Sequence, residues 1–476
     1  MTWDFHKQFI NGEWVPSTGE GRIKVVNPAT LEAFEWVPDG TYEDADRAVA
    51  AARAAAPGWA ATPRARRVEL MKAMLVHLRA MADDIVALEM KELGSPEFFA
   101  RATHCNYQYE RIESYISIAE KLELESEYAQ SLVIREPVGV VACITPWNYP
   151  LGQVVQKVIP AILMGNTVVL KPSQHTPLTA CLLMEAFRLA GFPAGVVNMT
   201  SGRGSRLGDR LATNPEVDMV SFTGSTKVGI ALSQKALESM KRISLELGGK
   251  SPYVWLPGMD DYRPAVEKLF ASVFLNSGQT CTALSRLIVP ESMKDEAISL
   301  IREALPCYPV GDPADSKVKI GPVASRAQYD KVRSYIELGL AEGATMVAGS
   351  VPAAEPAGGY YIEPVVFSDV DNKMRIAQEE IFGPVLCIIT YKTLKEAIAI
   401  ANDTPYGLNA AVYGPKEQAI EVARAIKAGN VYVNDGPRDV SAPFGGYKAS
   451  GIGREGGAAG LYEFTQYKAI FEHGAY

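Results

Sequence analysis

From Val138 onward, short runs of β-branched and apolar residues alternate with longer segments of helical periodicity. Residues 138–144, 167–170, 196–199 and 219–222 read as strands, and residues 151–164, 178–190 and 205–212 read as the helices between them. Strands that are apolar along their whole length, separated by helices, predict a parallel sheet covered on both faces. A second alternation runs through residues 253–256, 286–289, 385–390, 410–412 and 431–434. Upstream the pattern is helical. Thr41 and Asp44 frame a capping box ahead of an alanine-rich run to Ala56. Between Arg64 and Leu93 the apolar residues Val68, Met71, Leu75, Leu78, Ile85 and Leu88 predict one long helix, stopped by Gly94. The polar stretch 116–135 interrupts the first α/β unit, and 351–359, rich in Pro, Ala and Gly, reads as a surface loop.

A chain of 476 residues exceeds one ordinary core and predicts two or three domains of a soluble α/β protein. Its net charge of −8, with no Lys/Arg block to offset it, argues against nucleic acid or an anionic membrane as partner. The apolar stretch 158–170 is broken by Pro160 and Gly165 and is too short to span a bilayer. The first seven residues lack the character of a secretion signal. Six irregularly spaced cysteines without a CxxC pair give neither a disulfide framework nor a zinc site, so no metal is expected and a reducing, cytoplasmic setting is. Cys143, Cys181 and Cys387 lie in apolar runs and read as packing residues.

Cys281 differs from these because Thr280 and Thr282 flank it. A thiolate attacks carbonyl carbon well, and a neighbouring base or cation enlarges its fraction. Glu246, followed by Leu247-Gly248-Gly249, supplies a carboxylate beside a backbone that a ligand can approach closely. Asn148, in Pro146-Trp147-Asn148, supplies an amide donor for an oxyanion, a group commonly worth on the order of 10²–10³ in rate. The run Gly224-Ser225-Thr226-Lys227-Val228-Gly229 follows a strand and opens a helix, where backbone N–H groups favour phosphate. Its spacing is GxxxxG rather than the usual GxGxxG. None of the five histidines is spaced to pair with Cys281, so a Cys–His hydrolase is unsupported.

Seven blocks in order resemble the NAD(P)-dependent aldehyde dehydrogenase superfamily. They are Ile144-Thr145-Pro146-Trp147-Asn148-Tyr149-Pro150, Leu170-Lys171-Pro172-Ser173, Phe222-Thr223-Gly224-Ser225-Thr226, the runs around Glu246 and Cys281, Glu379-Glu380-Ile381-Phe382-Gly383-Pro384-Val385, and Pro443-Phe444-Gly445-Gly446-Tyr447-Lys448. The resemblance covers nearly the whole chain. It implies a Rossmann-like cofactor domain over 1–115 and 136–247, an α/β catalytic domain over 248–460, and a small oligomerisation element over 116–135 and 461–476. It also implies a homodimer or homotetramer. NAD+ or NADP+ would bind Ile144, Thr145, Pro146, Trp147, Lys171, Ser173, Gln174, Gly204, Phe222, Thr223, Gly224, Ser225, Leu247, Gly248, Glu380 and Phe382. Lys171 would reach the adenine ribose, and Glu380 and Phe382 the nicotinamide half. Many NAD-preferring relatives carry a glutamate where this chain has Gln174, so NADP+ is expected to be accepted as well.

The mechanism so implied is aldehyde oxidation to a carboxylic acid. Cys281 forms a thiohemiacetal and then a thioester, Asn148 holds the oxyanion, Glu246 activates water, and Lys157 assists the thiol electrostatically. A CoA-acylating dehydrogenase would need no water-activating glutamate, and a reductase would run the same site backwards. A non-catalytic binding protein on this fold would not need thiol, base and amide together. Substrate contacts are expected from Tyr149, Gln156, Thr280, Thr282, Arg438 and Phe444. Gln156 and Arg438 stand where aromatic residues are frequent, which favours a polar or semialdehyde substrate. Alternatively, Arg438 pairs with Asp435 or Asp439 at the surface.

Overall fold

A computed structural model describes residues 3–128, 131–434 and 436–471. Two large sheets dominate. In the first, eight strands lie in the order Gly451–Ile452, Arg242–Glu246, Met219–Thr223, Val140–Ile144, Thr167–Lys171, Val197–Met199, Gln8–Ile10 and Glu13–Val15. The second has seven, in the order Thr345–Ala348, Val365–Ser368, Val385–Tyr391, Arg286–Pro290, Pro252–Trp255, Asn409–Tyr413 and Asn430–Val433. Every strand read from the second half of the sequence is present. The central strands run parallel and are buried along their length, as continuous apolar runs require. This is the α/β architecture that the alternation of strands and helices predicts.

The capping box at Thr41 forms, with the Asp44 N–H donating to Thr41 Oγ1 and the Thr41 N–H to Asp44 Oδ2. The single helix expected over 64–93 is instead two, Arg64–Ala80 and Ala82–Glu92, bent at Met81 (φ −99°, ψ 12°). A straight helix of that length would extend roughly 45 Å. The bend turns Ile85 and Val86 back onto the core that holds Met74 and Leu78.

Two stretches lie differently from the expected division. Residues 116–121 complete the helix Tyr107–Lys121, and the polar segment after them forms Glu125–Tyr128 and Ser131–Pro137. The latter pairs antiparallel with Thr465–Phe471. Gly451–Ile452, inside the expected 248–460 unit, hydrogen-bonds to Leu245 and Glu246 in the first sheet. Residues 129, 130 and 472–476 of the expected oligomerisation element lie outside the described residues, as does Asp435.

In the first sheet, Ile144, Lys171, Thr223 and Glu246 all stand at the carboxyl ends of parallel strands. That edge is where open α/β sheets bind ligands.

Candidate active site

Cys281 follows a backbone run held in the left-handed region, Asn276 (φ 55°), Ser277 (φ 55°) and Gly278 (φ 71°). Two consecutive non-glycine residues there are strained and need outside support. Asn276 Nδ2 donates to the Asn148 carbonyl at 2.8 Å, and Asn148 Nδ2 donates to the Gln279 carbonyl at 2.9 Å. The Ala324 N–H fixes Gln279 Oε1 at 2.8 Å. These bonds tie the thiol's loop to Asn148 and leave that side chain a second amide hydrogen.

Cys281 stands where two cavities meet. The first, about 150 Å³, is lined by Pro146, Trp147, Asn148, Thr223, Gly224, Ser225, Leu247, Gly248, Glu380 and Phe382. All ten are residues the sequence assigned to the cofactor or to catalysis. Ser225 caps the helix Thr226–Leu237 by accepting from the Val228 N–H at 3.4 Å. Phe382 (φ 63°) meets Trp147 edge to face at 5.4 Å. Glu380 Oε1 accepts from the Gly249 N–H at 2.9 Å. The buried hydroxyls of Thr223 and Thr145 have no partner among the described residues. Together with the helix N-terminus, these orphaned groups fit a polar, phosphate-bearing cofactor.

The second cavity, about 320 Å³, is lined by Tyr149, Gln156, Thr280, Thr282, Arg438 and Phe444, again as expected. Tyr149 Oη and Thr280 Oγ1 share a hydrogen bond of 2.8 Å. Arg438 lies over the Phe444 ring at 4.7 Å, while Asp439 accepts from the Ser441 N–H and hydroxyl. The guanidinium thus faces the tunnel and not Asp439.

A third group sits outside both cavities. The Gly204 N–H donates to Gln174 Oε1 at 3.3 Å, and a Cβ at Gly204 would lie 3.5 Å from Lys171 Nζ. Burial pulls the Lys171 ammonium down to about 8. Ser173 accepts from the His175 N–H nearby. Ile144 and Phe222 are buried strand residues on neither cavity wall.

Glu246 and Lys157, which the sequence assigned to catalysis, stand off both cavity walls. Glu246 lines neither cavity. Its carboxyl points toward Gly445 (φ 150°), where a Cβ would come within 2.7 Å of Oε1. Both its oxygens are buried without a hydrogen-bond partner among the described residues. Burial, with the charge of Glu455, raises its pKa well above the usual carboxylate range, against the pull of Lys157 and Arg454. Lys157 Nζ donates to Glu455 Oε1 at 2.7 Å and to Ser221 at 3.3 Å. The lysine is therefore paired with Glu455, and its charge reaches Glu246. Burial pushes the Cys281 thiol up to about 12, Glu380 and Glu246 add to this, and Arg438 opposes it.

Several lining residues went unread in the sequence. Gln153 lines both cavities, Gln328 and Lys331 line the first, and Tyr107, Gln108 and Arg111 line the second. Glu455 was also missed. All lie outside the family-like blocks, on helices or loops whose facing no local pattern reveals. Among the described residues, no cluster of His, Cys, Asp and Glu could hold a metal ion. No described helix is long and apolar enough to cross a membrane.

The sequence pattern of the Aldehyde dehydrogenase family matches residues 14–470. A Staphylococcus saprophyticus protein provisionally named an aldehyde dehydrogenase is 41% identical over 471 residues, 98% of each chain. Aldehyde dehydrogenase C of Pseudomonas syringae, solved as a mutant with NAD+ and octanal, is 41% identical. It superposes with a TM-score of 0.96, covering 98% of this chain and 96% of that one. A Mycobacterium tuberculosis aldehyde dehydrogenase solved with NAD+ is 40% identical, with a TM-score of 0.96 and 99% of both chains covered.

Proposed function

This chain belongs to the aldehyde dehydrogenase family, and from that premise we propose that it oxidises a polar aldehyde to the carboxylic acid at Cys281, using NAD+ or NADP+. The observation that carries this reading is the position of Cys281 at the junction of the two cavities, with Asn148 fixed against its loop.

The Cys281 sulfur adds to the aldehyde carbon, and the second Asn148 amide hydrogen and the Cys281 N–H receive the oxyanion of the thiohemiacetal. Bound in the first cavity, the nicotinamide cofactor supplies the hydride acceptor. Loss of hydride and proton leaves a thioester on Cys281, and water then releases the acid and restores the thiol. Glu246 takes the water's proton after its side chain swings from the Gly445 side toward the sulfur. The Lys157–Glu455 pair sets the charge around Glu246 where it now rests. Lys171, Ser173, Gln174 and Gly204 hold the adenosine end of the cofactor, and Trp147, Ser225, Leu247, Gly248, Glu380 and Phe382 the other. On the tunnel side, Tyr149, Gln156, Thr280, Thr282, Arg438 and Phe444 receive the substrate. Gln156 and the Arg438 guanidinium favour a polar chain over an alkyl one.

The six cysteines are all free, which supports a reducing, cytoplasmic setting. The chain assembles as a homodimer or homotetramer through the small three-stranded sheet.

Rapid mixing with aldehyde and NAD+ tests the chemistry. Glu246→Gln should keep a burst of about one reduced cofactor per site and lose steady turnover, because acylation needs the thiol and release needs the base. Cys281→Ala should show no burst. In the wild type the raised Glu246 carboxyl keeps its proton in acid, so steady turnover should climb with pH as it ionises. An equal loss of burst and steady rate in Glu246→Gln would take Glu246 out of the release step.

A further inference from the structure

Resting on the proposed oxidation at Cys281, we infer that the second cavity is built for an aldehyde bearing a carboxylate, which the Arg111 guanidinium and the Tyr107 hydroxyl bind at the far end of the tunnel.

Arg111 lies on the helix Tyr107–Lys121 and is 7% exposed, yet it lines the cavity. Among the described residues its one hydrogen bond donates from Nη1 to Gln108 Oε1 at 2.7 Å. No carboxylate among the described residues forms an ion pair with it. Buried charges are ordinarily paired, because leaving one alone in a low-dielectric site is costly. The pKa of Arg111 is held below its usual value by burial first and then by the charge of Arg438. Tyr107, Tyr115 and, last, Glu455 oppose this, and that carboxylate is already held by Lys157 at 2.7 Å. Among the described residues that line this cavity, two cations thus share the wall with no anion between them.

Tyr107 completes the arrangement. Its hydroxyl is buried with no partner among the described residues. Its ring lies 4.9 Å from the Arg111 guanidinium carbon and 6.0 Å from that of Arg438. The guanidinium plane is fixed from behind. Gln108 Nε2 donates to the Thr103 carbonyl at 2.7 Å, in the π-helical turn Ala100–Asn106, and so presents its own oxygen to Arg111. Gly152 leaves the room Gln108 needs, since a Cβ there would lie 3.1 Å from the amide. A planar fork of N–H donors with one added hydroxyl matches the two coplanar oxygens of a carboxylate. The aldehyde end of the same molecule then reaches Cys281, which lines the same cavity.

The test compares pairs of equal chain length: succinic semialdehyde with butanal, and glutaric semialdehyde with pentanal, with octanal as a long apolar control. Wild-type enzyme should favour the acid of at least one pair in kcat/KM. Arg111→Met should then lower that acid-to-neutral ratio roughly tenfold to a hundredfold, the worth of a charge-assisted hydrogen bond, acting chiefly through KM. Arg111→Lys should recover only part of it. An unchanged ratio in Arg111→Met would overturn the proposal. So would wild type preferring the neutral aldehyde of both pairs, a result that needs no variant to fold. Glyceraldehyde 3-phosphate preferred over both semialdehydes would replace carboxylate by phosphate and overturn it too. Loss of all aldehyde oxidation in wild type is a different outcome, and would strike the function proposed for Cys281 instead.

Discussion

Gln174 marks where a single side chain sets the choice of cofactor. Its Oε1 is engaged by the Gly204 N–H, so its amide hydrogens face the other way, and the buried Lys171 ammonium lies close by. Neither group repels a phosphate. The wild type should therefore turn over NADP+ as well as NAD+, and Gln174→Glu should raise KM for NADP+ by roughly tenfold more than for NAD+, since like charges disfavour each other at short range. Steady-state kinetics with both cofactors checks this, and a wild type silent with NADP+ would end the idea. Residues such as Gln174, Cys281 and Asn148 were legible because each sits in a local run whose neighbours share its task. Arg111, Tyr107 and Glu455 were not. Arg111 reads as an ordinary charged helix residue, and only the packing of its helix against Pro150–Leu163 turns it into the tunnel.

Elements were legible where periodicity decides them and illegible where tertiary contact does. The parallel strands and the Thr41 cap followed from local pattern, whereas the bend at Met81 has neither Pro nor Gly to announce it. That bend aims the end of Ala82–Glu92 at another helix. Glu92, 1% exposed, accepts from the Leu178 and Thr179 N–H groups at 2.8 and 3.3 Å, and so caps the helix Leu178–Leu189 from a distance. Burial nevertheless raises its carboxyl to about 8, and adjacent Glu89 is raised too. An acid whose folded pKa is raised favours the folded state while protonated. Its contribution is full below the ordinary carboxylate value and is lost as pH climbs toward 8. The thermal midpoint should accordingly fall between about pH 5 and pH 8.5, and Glu92→Gln should flatten that slope. A variant with the wild-type slope would remove Glu92 from this account.

At the scale of the whole molecule, the three-stranded sheet offers an edge. Among the described residues, Thr465–Phe471 pairs on one side only, with Ser131–Pro137. Arg135 stacks on Tyr462 and Tyr467 to hold the strand in place, but Phe471 remains 80% exposed. Unpaired backbone beside exposed apolar side chains is a template for another chain, and a protein that keeps such an edge open normally covers it by association. Local pattern showed only that residues 116–135 are polar and break the α/β rhythm; that they join the C-terminal segment followed from the family resemblance alone. If the edge is the assembly surface, Phe471→Asp should lower the mass measured by light scattering at a given concentration, moving the population toward the monomer. The thiol site lies on the other two sheets, so the variant's pre-steady-state burst per protomer should persist. A wild type already monomeric at micromolar concentration, or an unchanged mass in Phe471→Asp, would return this strand to a purely intrachain role.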